Sequence, residues 1–235
     1  MKTTGTVPRL TARGVATRAR IVEAAADLVF ERGVAETGLD AVLAASGTSK
    51  SQLYHYFADK DDLVLAVIER QTERVLAEQE PQLHELDSIA GLHRWRDALV
   101  GLQRHGGCVG GCPIGSLVAE LAGSDRPREL LRAGFARWES FLVAGLTTMR
   151  DRDELRPDAD PRDLATAVMT ALQGGLLLTA TTRSTRPLEL GLDMAIAHVE
   201  AHRLSRSVQP RGRREGPVDA GPARPAGTST ASRSG

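Results

Sequence analysis

Aromatic residues make up only 3% of this 235-residue chain, and there are just two cysteines, Cys108 and Cys112. Two cysteines cannot form a disulfide framework, and they suit a reducing compartment. Few stretches alternate Val, Ile, Thr or Tyr with polar residues, so strands are poorly supported and an all-α protein is expected. The N-terminus has no apolar core behind its basic residues, which argues against a signal peptide. The longest apolar run, around Leu176-Leu177-Leu178, is far too short to span a bilayer. A cytoplasmic protein with no membrane partner is the expectation. Catalytic signatures are missing as well. There is no Gly-x-Ser-x-Gly elbow, no phosphate loop and no His-Glu-x-x-His zinc helix, so no enzyme is expected. Cys108-x-x-x-Cys112, with His105 nearby, lacks the four ligands of a structural zinc site, so neither a metal nor a cofactor is expected. A thiol switch through Cys108 and Cys112 stands as an alternative, because the intervening glycines could let the sulfurs meet.

Net charge is absent too, since 30 Lys and Arg balance 30 Asp and Glu. Its distribution is uneven. Residues 1–60 carry 8 basic and 6 acidic side chains, residues 61–202 carry 15 and 22, and residues 203–235 carry 7 and 2. A basic head on an acidic body suits a protein that meets phosphates at one end.

The helical period begins at Thr17, after a loose arm over residues 1–14. Ile21, Ala24, Ala25, Leu28 and Val29 share one apolar face, and Gly33 suits a C-terminal cap. A short second helix is expected over 39–45, with Thr37 as its N-cap. Gly47 breaks the chain. Ser49 and Gln52 then form a Ser-x-x-Gln capping box, which starts a third helix whose inward residues are Leu53, Tyr56 and Phe57. Asp59 is the expected cap of a fourth, with Asp61 and Asp62 favourable in its first turn. Its apolar stripe runs from Leu63 to Leu76. The domain boundary is placed there: residues 15–60 form one unit and residues 61–204 a larger helical one. Further helices are expected over about 88–105, 126–150, 162–182 and 188–204, with a short one around Leu117. From Ser205 to residue 235 apolar residues nearly vanish, and a disordered basic tail is expected.

A helix that reads DNA needs small, polar, exposed side chains at its amino end, flanked by donors for phosphates. Ser49, Lys50, Ser51 and Gln52 supply that edge. Gln52 can bond adenine and Lys50 guanine or phosphate. The run Ile21-x-x-Ala24-Ala25-x-x-Leu28, Gly33, Thr37, Gly47-x-Ser49-Lys50 and Leu53-Tyr54-His55-Tyr56-Phe57-x-x-Lys60-x-x-Leu63 is similar to the N-terminal domain of TetR-type transcriptional regulators. That resemblance implies a homodimeric helical repressor with a three-helix helix-turn-helix domain and a C-terminal ligand-binding and dimerisation domain. It puts Thr37, Tyr54, His55 and Lys60 on phosphates and Lys50, Ser51 and Gln52 near bases of double-stranded operator DNA. Leu43 stands where the family usually has Ala, Ser46 and Thr48 replace an apolar pair in the turn, and Ser51 replaces a common Gly. These departures bear on the packing angle of the recognition helix.

In the second half, Gly111-Cys112-Pro113-Ile114-Gly115-Ser116-Leu117-x-x-Glu120-Leu121, Phe135-x-x-Trp138 and Leu172-Gln173-Gly174-Gly175-Leu176 resemble a TetR subgroup associated with multidrug and flavonoid-type inducers. A small, largely apolar inducer bound between helices is implied, with Trp95, Leu99, Trp138, Phe141 and Gln173 as candidate contacts. Gly174 and Gly175 are costly inside a helix unless something approaches closely. The last two helices are therefore the expected dimer interface, with Gly174, Gly175, Leu176, Met194 and His198 in it. The paired recognition helices would read a palindrome. From other classes, a helical interaction module or an enzyme without DNA binding are the alternatives.

Overall fold

Helix α1 spans Ala12–Arg32 because the Thr11 hydroxyl accepts from the Gly14 amide at 3.2 Å and so caps it. It begins five residues before Thr17, so the last residues of the expected arm are helix. The structure is a computed structural model and describes residues 10–204. The rest of the arm, residues 1–9, and the expected basic tail, residues 205–235, lie outside the described residues.

α1 buries Ile21, Val22, Ala25, Ala26 and Val29 and ends at Gly33, whose φ of +85° an L side chain rarely adopts. α2 spans Leu39–Ser46. Thr37 does not cap it. The N-cap is Gly38, with no side-chain bond, while Thr37 turns inward and its hydroxyl donates to the Gly33 carbonyl at 2.7 Å. Gly47, left-handed at φ 63°, closes α2, and the Thr48 amide returns to the Leu43 carbonyl at 3.3 Å. α3 spans Lys50–Tyr56 and α4 spans Lys60–Ala77, capped by Asp59 through the Asp62 amide at 2.9 Å.

After a 3-10 turn over Gln82–Glu85 come α5 (Ile89–His105), α6 (Pro113–Leu121), α7 (Asp125–Asp151), α8 (Pro161–Thr182) and α9 (Arg186–Ala201). Among the described residues the fold is all-α. Its one β-type pairing, Leu155 with Arg203, fastens the α7–α8 loop to the end of α9. Helix α8 is long and apolar enough to cross a bilayer by length and composition, more than the short leucine run suggested. Here it packs between α7 and α9 instead.

Helix α4 joins the two halves, packing on α1 on one side and on α6 and α7 on the other. Its buried side-chain amide is matched: Gln71 Nε2 donates to the Ala26 carbonyl at 2.9 Å, between the buried Ile68 and Val75. On the outer side, Arg70 and Arg74 both grip Glu23, and Arg74 reaches Asp27 at 2.7 Å. The Arg70 bond, helped by Arg74, holds the Glu23 carboxyl at about 2. α7 meets the 3-10 segment only because Gly145 has no Cβ, which would lie 2.3 Å from the Leu86 carbonyl oxygen.

Candidate nucleic-acid interface

The capping box forms as its residues require. The Ser49 hydroxyl accepts from the Gln52 amide at 3.3 Å, and Gln52 Oε1 accepts from the Ser49 amide at 2.9 Å. Leu53 is wholly buried and Phe57 nearly so, which anchors α3 to the bundle, while Tyr56 is half-buried. Ser49, Lys50, Ser51, Gln52, Tyr54 and His55 all remain exposed. Lys50 Nζ stands 6.0 Å from the Tyr54 ring. The turn before α3 carries the departures noted in the sequence. Ser46 and Thr48 are both buried, and their hydroxyls bond each other at 2.7 Å, so the polar pair satisfies itself where an apolar pair would pack.

Two of the expected phosphate contacts have duties inside the fold. Thr37 is only 4% exposed and its hydroxyl is bonded to Gly33. What faces outward beside it is the amino end of α2, whose N-cap Gly38 supplies no side-chain acceptor. Such an end attracts anions through its free amides. Lys60 Nζ donates to the Val34 carbonyl at 2.7 Å, which leaves two of its three protons. Gln52 is likewise engaged, since the Oε1 that would accept from adenine already closes the capping box.

The charge pattern could not be seen from the sequence. Arg13, Arg18, Arg20, Arg32, Lys50 and Lys60 are the cations between residues 10 and 60, and none has a carboxylate at ion-pair distance among the described residues. Arg18 lies over the Phe57 ring at 5.1 Å. Beyond residue 60 most arginines are paired, as in Arg96 with Asp193 at 2.9 Å and Arg152 with Asp87 at 2.9 Å. Arg13, Arg18, Arg20 and Arg32 are outside the DNA-binding set expected from the sequence. They carry no motif, and only the early start of α1 puts Arg13 on a helix near α3, where Tyr56 lies 3.3 Å from a Cβ placed on Gly14.

Two of the cavities beside α8 bear on the candidate contacts. One, of about 480 Å³, lies between α6 and α8 and includes Cys112, Gly115, Phe135 and Gln173 in its lining. The other, of about 580 Å³, is an apolar groove between α8 and α9 that includes Gly174, Leu178, Leu190 and Met194. Of the candidate ligand contacts, Gln173 lines the first cavity. Trp95, Leu99 and Trp138 instead lie in the core, 0%, 5% and 1% exposed, and Trp95 Nε1 is bonded to Gln79 at 2.9 Å. Phe141 is half-buried and packs edge-on against His84. Gly175 and Leu176, expected at a dimer interface, are buried within the chain. A Cβ on Gly175 would lie 2.9 Å from Leu188 Cα, so the close backbone is this chain's own α9, and Leu176 is core. Gly174, Met194 and His198 are exposed, joined by Leu177, Leu178 and Leu190. A run of three leucines does not reveal which of them faces outward.

Both cysteines are buried and free. Cys112 Sγ accepts from the Gly115 amide at 3.3 Å as the cap of α6, and burial pushes its thiol up. It is a protonated structural group rather than an activated nucleophile.

A contact between the halves completes the geometry. Glu120, near the end of α6, accepts from the Val34 and Ala35 amides at 3.1 and 3.0 Å. Lys60 holds the Val34 carbonyl, so the α1–α2 loop is gripped from both sides.

Compared with known proteins, residues 21–67 match the family of bacterial regulatory proteins of the tetR type, and residues 89–195 match the tetracyclin repressor-like C-terminal domain. An uncharacterized HTH-type transcriptional regulator of Mycobacterium tuberculosis is 30% identical over 179 residues, 74% of this chain and 89% of the relative. The transcriptional regulator AcuR of Cereibacter sphaeroides is 30% identical over 162 residues, 67% of this chain and 73% of its own. The crystal structure of a TetR transcriptional regulator from Chloroflexus aurantiacus is similar with a TM-score of 0.69 at 27% identity, covering 83% of this chain and 100% of that one.

Proposed function

The chain belongs to the TetR family of DNA-binding transcriptional regulators, which are not enzymes, and from that premise we propose that it is a cytoplasmic, homodimeric repressor released from a palindromic operator when a small, largely apolar inducer binds its C-terminal domain. The observation that carries the reading is the set of cations between residues 10 and 60 left without carboxylate partners among the described residues. Unneutralised charge around an exposed polar helix edge is what phosphate contact and counterion release require. Lys50 and Ser51 meet bases first. Gln52 joins them by its free amide protons. Tyr54, His55 and the uncapped end of α2 beside Thr37 position the backbone, with Lys60 contributing its remaining donors.

The apolar groove between α8 and α9 supports a second copy packing there, with Leu177, Leu178, Leu190 and Met194 covered. Inducer control follows from linkage: a ligand that favours one placement of α6 acts on the α1–α2 loop through Glu120. The α5–α6 loop adds to this, because Gly110 lies against Phe30 of α1, 2.2 Å from a Cβ placed there. The test is a gel shift with the DNA upstream of the protein's own gene, at several salt concentrations. A sequence-selective shift that Lys50→Ala weakens supports the reading. No selective shift at moderate salt overturns it.

A further inference from the structure

The cavity between α6 and α8 has a distinct chemical character. Its lining includes Cys112, Gly115, Ser116, Val118, Phe135 and Gln173, and no Lys, Arg, His, Asp or Glu is among its lining residues. Burial keeps the Cys112 thiol protonated, so that wall is neutral. Four buried side-chain polar atoms lack a hydrogen-bond partner among the described residues, on Gln103, Trp138, Gln173 and Thr179, and of these Gln173 is the one that lines this cavity. Its Nε2 is buried and makes no hydrogen bond of ordinary geometry among the described residues, although the amide stands near enough to the Cys112 thiol to offset a little of the rise that burial causes there, and Gly115, lacking a Cβ, lets the other end of the amide approach α6 to about 3.0 Å from where that Cβ would lie. A buried amide donor without a partner is costly, and a ligand that supplies an acceptor removes that cost. The volume of about 480 Å³ falls in the range of small-molecule sites.

Resting on the regulator reading above, we propose that this cavity binds a neutral, mostly apolar molecule bearing one carbonyl-type acceptor, which accepts a hydrogen bond from Gln173 Nε2. An anion is disfavoured twice. No cation lines the cavity, and the adjoining space around Gln173 and Phe135 holds the Glu139 carboxylate. A cation is disfavoured because the unpartnered atom is a donor and no carboxylate lines the cavity itself. A hydrocarbon fills the space but leaves the amide unmatched.

The test is calorimetric titration of the full chain with four probes of one shape: benzophenone, diphenylmethane, diphenylacetate and benzhydrylammonium. Benzophenone is expected to bind about 10-fold more tightly than diphenylmethane, the factor appropriate to one buried neutral hydrogen bond. The two ions are expected to bind no better than the hydrocarbon. In Gln173→Leu, with secondary structure and oligomeric state unchanged, benzophenone and diphenylmethane are expected to bind equally. This equalisation is not produced by misfolding, which would weaken both. Equal affinities in the wild type, discrimination that persists in Gln173→Leu, tighter binding of either ion, or no benzophenone binding up to its solubility overturns the proposal. So does loss of the oligomer in Gln173→Leu, which would assign the amide to a second copy of the chain. If benzophenone binds with the expected preference yet leaves the operator complex intact, the cavity's chemistry stands and the inducer reading falls. A selective DNA shift without ketone preference does the reverse.

Discussion

Replacing Glu120 with alanine removes one defined link between the two halves of the protein. The carboxylate accepts two backbone amides, Val34 at 3.1 Å and Ala35 at 3.0 Å, from a segment more than eighty residues away. Hydrogen bonds to a charged acceptor are strong when buried, but Glu120 is exposed, and water competes for both amides. About 0.5–1 kcal/mol for each bond, or roughly 1–2 kcal/mol together, is then the local closing free energy. That corresponds to amide exchange at Val34 and Ala35 accelerated about 5- to 30-fold in Glu120→Ala, with the core amides of α1 much less affected. Glu120→Gln keeps one acceptor oxygen and is expected to fall between. Hydrogen exchange followed by NMR resolves these sites individually. Exchange at Val34 and Ala35 that is the same in wild type and Glu120→Ala refutes the clamp in solution. With it would fall the argument that α6 controls the DNA-reading half through this loop. If the clamp holds, ligand-induced release from DNA should weaken in Glu120→Ala while binding without ligand persists.

Gln52→Glu separates base reading from capping. The new carboxylate can still accept from the Ser49 amide, so thermal stability should hold, while loss of the amide protons should cost roughly 1–3 kcal/mol of preference at one base position in competition gel shifts. Gly145→Ala would normally favour a helix, but its Cβ would meet the Leu86 carbonyl oxygen at 2.3 Å, so denaturant midpoints should show a net loss of about 1–3 kcal/mol. Glu23, held at about 2 chiefly by its Arg70 bond and then by Arg74, has a folded pKa below its ordinary value of 4.5. Its contribution is therefore full above pH 4.5 and lost as pH falls from there towards 2. With its side chain 41% exposed, that contribution is discounted to about 1 kcal/mol. Glu23→Gln should lose correspondingly less stability than wild type between pH 6 and pH 3 in urea titrations.

Much of the local structure was legible in short segments. The Ser49–Gln52 box, the Asp59 cap and the break at Gly47 each need only residues within four positions of one another, so spacing alone identifies them. Thr37 misled because Thr before a helix can cap forwards or bond backwards, and here it turns back to Gly33. Gly175 was sound physics attached to the wrong partner. A glycine within a helix signals a close approach, but not whether the neighbour is α9 of the same chain or another copy. Trp95 and Trp138 show the same limit, since a large aromatic suits a cavity wall and a packed core equally.

The sequence by itself determined the helices, their order, the recognition edge from Lys50 to Gln52 and the family, because these rest on periodicity, caps and a pattern of residues at set spacing. Only the tertiary structure decided which charges stay unpaired, where Gln173 leaves its amide without a partner and that Glu120 reaches the α1–α2 loop. Each depends on a contact, made or missing, between residues far apart in the chain, and periodicity along a helix carries no information about what stands opposite.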